Sequence, residues 1–174
     1  MARRHYSHPQ IAIVGASAAG LFTAYALARA GREAQVFEGR DRLDSAPRTL
    51  IVTDRMREIL EGLGEKAVVN EIRRFELFTD GRVAKIALRR PDLVIERSTL
   101  IQELATAAVG AGARVEFGQE LLSLQQTDHT LTMVMERAQG GRTEDAQFRT
   151  VVGADGAVSR VAQSAGWPKP PLLA

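Results

Sequence analysis

The sequence predicts an α/β fold built on a parallel sheet, and three observations carry that expectation. A four-residue apolar run from Ile11 to Val14 is too short for a helix and stops abruptly at Gly15. A helix-forming, mostly apolar stretch from Ala18 to Ala30 follows, with Gly31 placed to cap its carboxyl end. A second apolar run, Ala34 to Phe37, then ends at Glu38. Strand, crossover helix and strand in that order imply parallel pairing with a right-handed connection and a sheet covered on both faces.

Beyond Glu38 the charged stretch from Gly39 to Arg48, with Pro47, reads as a loop. Thr53 to Leu63 offers a capped helix ending at Gly64, with Asp54 lending negative charge to its first turn. Short strands at Phe75 to Phe78, Arg82 to Leu88 and Leu93 to Ile95, with a turn at Asp80 and Gly81, suggest a small antiparallel excursion. Ser98 is expected to cap a helix reaching about Val109, stopped by Gly110 and Gly112, before a strand at Arg114 to Phe117. Leu121 to Gln126 and Leu131 to Glu136 read as a hairpin around Thr127, Asp128 and His129. A polar loop from Ala138 to Gln147 then leads to a buried strand at Phe148 to Val152. Residues 1–9 are expected to form a flexible arm, residues 10–167 one domain, and residues 168–174 a proline-rich tail.

Composition narrows the function classes. At 174 residues, 45% apolar and 25% charged, the chain is an ordinary globular one. A chain of this size buries about 68–70% of its unfolded surface, so no cross-link is needed. The absence of cysteine excludes disulfides, thiolate nucleophiles, Cys-ligated metals and redox dithiols, and favours a cytoplasmic setting. A net charge of +2 with 5% aromatics gives no argument for nucleic acid. Arg3 and Arg4 ahead of the uncharged stretch from Ile11 to Ala28 raise a signal peptide, but that stretch is dominated by Ala, Gly, Ser and Thr and inserts weakly into hydrocarbon, so no membrane span is expected. His5, His8 and His129 lie in an arm and a turn, which supports neither a metal site nor a Ser–His–Asp arrangement.

Three motifs carry chemistry. Gly15, Ala16, Ser17, Ala18, Ala19 and Gly20 follow a strand and open a helix, the context of a dinucleotide fingerprint. Gly15 permits the tight turn, Gly20 the close packing, and the helix N-terminus offers unpaired N–H groups to a pyrophosphate. Ser17 replaces the middle glycine, small enough for phosphate to approach and able to donate a hydroxyl. The alternative is a glycine-rich turn used for packing alone. Glu38, 18 residues after Gly20, ends the second strand where a carboxylate accepts both ribose hydroxyls of an adenosine. It would repel a 2′-phosphate, favouring FAD or NAD over NADP, although Arg40 and Arg42 blunt that discrimination; a solvated acidic strand end is the alternative. The third motif, Val151 to Arg160, places Asp155 between Gly153 and Gly156 after an apolar strand. Asp155 and Gly156 suit a polyol hydroxyl at a strand's carboxyl end, or else an Asp–Gly turn capping a helix.

Together these residues resemble the FAD-binding part of the p-hydroxybenzoate hydroxylase-like flavoproteins, which include single-component aromatic monooxygenases, geranylgeranyl reductases and related halogenases. Gly15 to Gly20 with Glu38 resembles the family's ADP-binding fingerprint, and Gly153, Ala154, Asp155, Gly156 and Ser159 its Asp–Gly fingerprint. Glu96 to Leu100 resembles the segment in which an Arg opens a helix near the cofactor, and Pro47, Arg48 and Thr49 the loop reaching the flavin. The resemblance implies a Rossmann-like FAD-binding domain in which Arg48 and Arg97 contact flavin or phosphate and Asp155 accepts a cofactor hydroxyl. From the residues alone, Arg97 could fork onto pyrophosphate oxygens or pair with Glu96 or Glu103, and Arg48 could simply be solvated.

Family members continue to a Gly–Asp–Ala segment and a substrate-pocket sheet that nothing here matches, so a missing C-terminal half or a second chain is expected to complete the pocket. The function implied is that of a monooxygenase-like, FAD-dependent oxidoreductase with NAD(P)H as reductant and a small-molecule substrate. A geranylgeranyl-reductase-like protein and a non-catalytic FAD- or NAD-binding module are the alternatives. No catalytic side chain is identified, because the cofactor would do the redox chemistry.

Overall fold

The computed structural model describes residues 10–43, 47–127, 130–137, 141 and 143–168. The expected arm at 1–9, Asp128, His129, part of the polar loop beginning at Ala138 and most of the tail lie outside the described residues. The chain divides into two compact units, one made of residues 1–43 and 105–174, the other of 44–104.

In the first unit, β1 (Ile11–Val14), α1 (Ala18–Arg29) and β2 (Ala34–Glu38) form the expected unit of strand, helix and strand. The segment considered as a signal peptide is therefore a strand and a 12-residue helix. Among the described residues no helix is long and apolar enough to cross a membrane. Ser17 caps α1, and its carboxyl end closes on Gly31 (φ +70°), with Gly31 N–H donating to Ala28 O and Arg32 N–H to Leu27 O. Two further strands, β6 (Arg114–Phe117) and β10 (Thr150–Gly153), complete a parallel sheet of order β10-β1-β2-β6. Val14 sits opposite Gly153 on one side and Phe37 on the other, so three strands end level.

An antiparallel sheet covers one face of this layer. Its strands are β7 (Gln119–Gln126), β8 (Leu131–Arg137) and β9 (Thr143–Phe148), in that order. Residues 143–147 of the polar stretch read as a loop thus belong to a third strand. Its sequence TEDAQF alternates but is too polar to announce itself, and β8 supplies the pairing that holds it. The single strand expected at Phe148 to Val152 is likewise divided between β9 and β10. Ala12, Val14, Phe37, Leu121, Met133, Met135, Phe148 and Val161 form the core between the layers. Phe37 and Phe148 meet edge to face at 5.6 Å between centroids.

The second unit carries β3 (Thr49–Val52), α2 (Asp54–Leu60), β4 (Val68–Thr79) and β5 (Arg82–Glu96), with sheet order β3-β5-β4. β3 went unread in the sequence, and α2 is shorter than expected because Glu61 (φ 49°), Gly62 and Gly64 turn left-handed beyond Leu60. The expected short strands are one long hairpin. Asp80 and Gly81 both take positive φ in its two-residue turn, and Pro91 lies within the irregular stretch of β5 between Ala87 and Asp92. The next helix, α3, spans Arg97–Gly110 and crosses the boundary between the units. Its first-turn N–H of Thr99 is accepted by Glu96 Oε2 at 2.8 Å, so Glu96, rather than the expected Ser98, serves as the capping acceptor. Gly112 closes its other end. The last helix, α4 (Arg160–Ser164), follows β10.

Candidate functional site

The level ends of β10, β1 and β2 place three loops side by side. Gly15 adopts φ +103°, and a Cβ there would fall 2.5 Å from Ala154 O. A Cβ on Gly20 would fall 2.0 Å from Gly15 O and 3.1 Å from Ala154 Cβ. Gly15 is therefore required by contact and by conformation, and Gly20, inside α1, by contact alone: the turn, the first helical residues and the loop after β10 lie against one another too closely for a side chain. Ser17 locks the junction, its Oγ donating to Ala154 O at 3.1 Å and accepting from Gly20 N–H at 3.3 Å. The hydroxyl expected to face phosphate is occupied in holding the two fingerprints together.

Small side chains leave the mouth of α1 open. Ala16 is buried, while Ser17, Ala18 and Ala19 are half-buried or exposed. Among the described residues, the N–H groups of Ser17, Ala18 and Ala19 have no hydrogen-bond partner. Three unpaired donors at the positive end of a helix dipole suit an anion. On the β2 side, Glu38 is half-buried, its Oε2 accepting Ala16 N–H at 2.8 Å and its Oε1 accepting Arg40 N–H at 3.1 Å. An ionised carboxylate offers about four lone-pair sites. Two remain for a ligand.

On the β10 side, Asp155 spans the start of α4. Its Oδ1 accepts Ser159 Oγ–H at 2.6 Å, and its Oδ2 accepts the N–H groups of Arg160 at 2.7 Å and Val161 at 3.2 Å. The helix-capping alternative is thus realised, leaving about one lone-pair site by the same count. Gly156 takes φ +85° with open space beside it.

In the second unit, Arg48 is exposed and Arg97 half-buried, joined through Arg97 N–H to Arg48 O at 2.8 Å. Among the described residues neither forms an ion pair. Glu103 instead accepts Gly64 N–H at 2.6 Å. Glu96 accepts from the Ser98 hydroxyl and from the Thr99 hydroxyl and N–H, and these bonds hold its carboxyl at about 2, below the ordinary 4.5. The sequence reading named Glu96 only as a possible partner of Arg97 and missed its capping role, although an acidic residue three positions before Thr99 at a helix start was visible. It placed Ala154 in the Asp–Gly fingerprint but did not foresee that its carbonyl accepts the Ser17 hydroxyl.

Comparison with known proteins places the family and the fold. The family described as FAD binding domain matches residues 8–170. Among solved structures, the flavin-dependent monooxygenase PieE, in complex with FAD and substrate, is 24% identical, with a TM-score of 0.76 over 90% of this chain and 31% of its own. CabE, an aromatic hydroxylase from angucycline biosynthesis, is 25% identical, with a TM-score of 0.79 over 93% of this chain and 34% of its own. A geranylgeranyl bacteriochlorophyll reductase-like protein from Thermoplasma acidophilum is 21% identical, with a TM-score of 0.80 over 95% of this chain and 43% of its own. This chain therefore spans between 31% and 43% of those three chains' length. No curated protein sequence gives a significant match.

Proposed function

The chain belongs to the FAD binding domain family, and on that footing we propose that it holds the adenosine diphosphate half of FAD across the ends of β10, β1 and β2, as part of a monooxygenase-like oxidoreductase. The observation that carries the reading is the set of unpaired Ser17, Ala18 and Ala19 N–H groups, walled by small side chains and flanked by two carboxylates. Those N–H groups donate to the pyrophosphate. Glu38 accepts from the adenosine ribose with its two spare sites while fixing Ala16. Ser17 holds the turn through Ala154 and leaves phosphate contact to the main chain, as Gly15 and Gly20 permit. Asp155, with Gly156 beside it, has one site for a cofactor hydroxyl. Arg48 and Arg97 stay proposed as ligands for flavin or phosphate on the family resemblance alone. When bound, FAD supplies the redox chemistry, with NAD(P)H as the proposed reductant and a small molecule as substrate; the protein binds and orients.

The test is a titration of the purified chain with FAD, followed by flavin fluorescence. Saturable binding is expected, displaced by ADP but not by riboflavin, and weakened about tenfold or more by Glu38→Ala, which removes hydrogen bonds to a charged acceptor. Displacement by riboflavin, or an unchanged affinity in Glu38→Ala, would overturn the assignment. Binding without NAD(P)H oxidation for any substrate favours a non-catalytic module instead.

A further inference from the structure

We propose that Glu120 and Arg160 are positioning residues for the adenosine end of the site, an ion pair that sets the loop carrying Glu38 at a fixed distance from the helix start carrying Asp155. The inference rests on the nucleotide-binding reading of Glu38 and adds two side chains to it. Glu120 Oε1 accepts from Arg160 Nη2 at 3.1 Å. Glu120 lies at the start of β7, just past the turn from β6, and the loop after β2 docks on that turn. Gly118 N–H donates to Arg40 O at 2.9 Å. A Cβ on Gly39 would lie 3.5 Å from Glu120 Cβ and 3.7 Å from its Cγ, so the main chain next to Glu38 rests against the Glu120 stem. At the other end of the pair, Arg160 N–H donates to Asp155 Oδ2 at 2.7 Å.

These contacts close a circuit around the ends of β10, β1 and β2. From Glu38 it runs to Ala16 N–H, and through Ser17 to Ala154 O and Asp155. It returns through the Arg160 guanidinium and Glu120 to Gly39. The other links use a main-chain group or a packing contact, whereas the Glu120–Arg160 link joins two side chains. It is therefore the link that substitution can open without touching a proposed ligand or the turn after β1. With it closed, each carboxylate is anchored on two sides, by the α1 turn and by the pair. Such pre-organisation is read in affinity rather than in stability. The side chains of Arg160 and Glu120 are 51% and 54% exposed, and a pair so exposed adds little to folding.

Competition against FAD, followed by flavin fluorescence, tests this with two probes, ADP and inorganic pyrophosphate. Glu120→Ala and Arg160→Ala should each weaken ADP binding about two- to fivefold. Pyrophosphate binding should not change, because its proposed donors lie at the start of α1. The double variant should lose no more than either single one, since both remove the same link. Arg160→Lys, which keeps the cation, should retain the parent affinity. In a Glu38→Ala background, Glu120→Ala should change nothing further, the sign that it acts through Glu38. Thermal midpoints should stay within about 4 °C of the parent, showing that the variants fold. Equal weakening of ADP and pyrophosphate, additive losses in the double variant, or unchanged ADP affinity in both single variants would overturn the proposal and leave the site standing. A parent chain that binds neither FAD nor ADP would instead remove the site, and this inference with it.

Discussion

Replacing Gly20 by alanine tests the junction on which the site is built. The new Cβ would sit 2.0 Å from Gly15 O, a full ångström inside the 3.0 Å that real Cβ atoms respect, and the obstacle is backbone rather than a movable side chain. Ala154 Cβ, at 3.1 Å, closes the nearest escape. Overpacking of this kind costs about 1–3 kcal/mol, and an immovable carbonyl places it near the upper end. Alanine returns about 1 kcal/mol of helix propensity. A net destabilisation of about 2 kcal/mol remains, which for a chain of this size lowers the unfolding midpoint by about 4–8 °C. Gly31→Ala is the control: its φ is +70° but nothing lies within 4 Å, so only the left-handed penalty of about 1–2 kcal/mol applies, with no effect on FAD affinity. Thermal unfolding by circular dichroism, paired with the fluorescence titration, reads both quantities. A Gly20→Ala protein as stable as the parent and equal to it in FAD affinity would refute the interlock.

Other substitutions separate structure from binding. Ser17→Ala removes the cap of α1 and the link to Ala154 O, so urea unfolding should show a loss of about 1 kcal/mol; FAD affinity should stay within about threefold, since only main-chain donors are proposed to meet phosphate. Asp155→Ala leaves the first N–H groups of α4 without their acceptor and should cost about 1–2 kcal/mol by the same measurement, together with weaker FAD binding. For Glu96, whose folded carboxyl titrates at about 2 against an ordinary 4.5, the stabilisation is complete above pH 4.5 and is lost as pH falls toward 2. The stability gap between the parent and Glu96→Gln should therefore narrow over that window; a gap constant with pH would contradict the role assigned to the carboxylate.

The parallel layer was legible because its strands are short, apolar and ended by glycine or an acidic residue, as at Val14 before Gly15 and at Phe37 before Glu38. What escaped notice was held by partners rather than by local pattern. β9 is polar along most of its length and exists through β8, while Pro91 divides the sequence of β5 without ending the strand. Glu96 rather than Ser98 is the cap because α3 already begins at Arg97, which puts Ser98 inside the first turn and leaves Glu96 just before it. At the site, Gly15, Gly20 and Glu38 stood where the fingerprint placed them. The occupation of Ser17 and Asp155 by structural hydrogen bonds was not visible, because Ala154 O and Arg160 N–H carry no side-chain signature.

The bond from Ser17 to Ala154 joins positions 137 residues apart. A ribosome therefore releases the turn after β1 early, but the wall that braces it emerges only once residue 154 has been translated. On the proposed reading, cofactor capture waits until β10 has been made, and polypeptides cut short before β10 would leave the glycine turn without its brace. Such long-range closure also slows folding relative to a chain of local contacts.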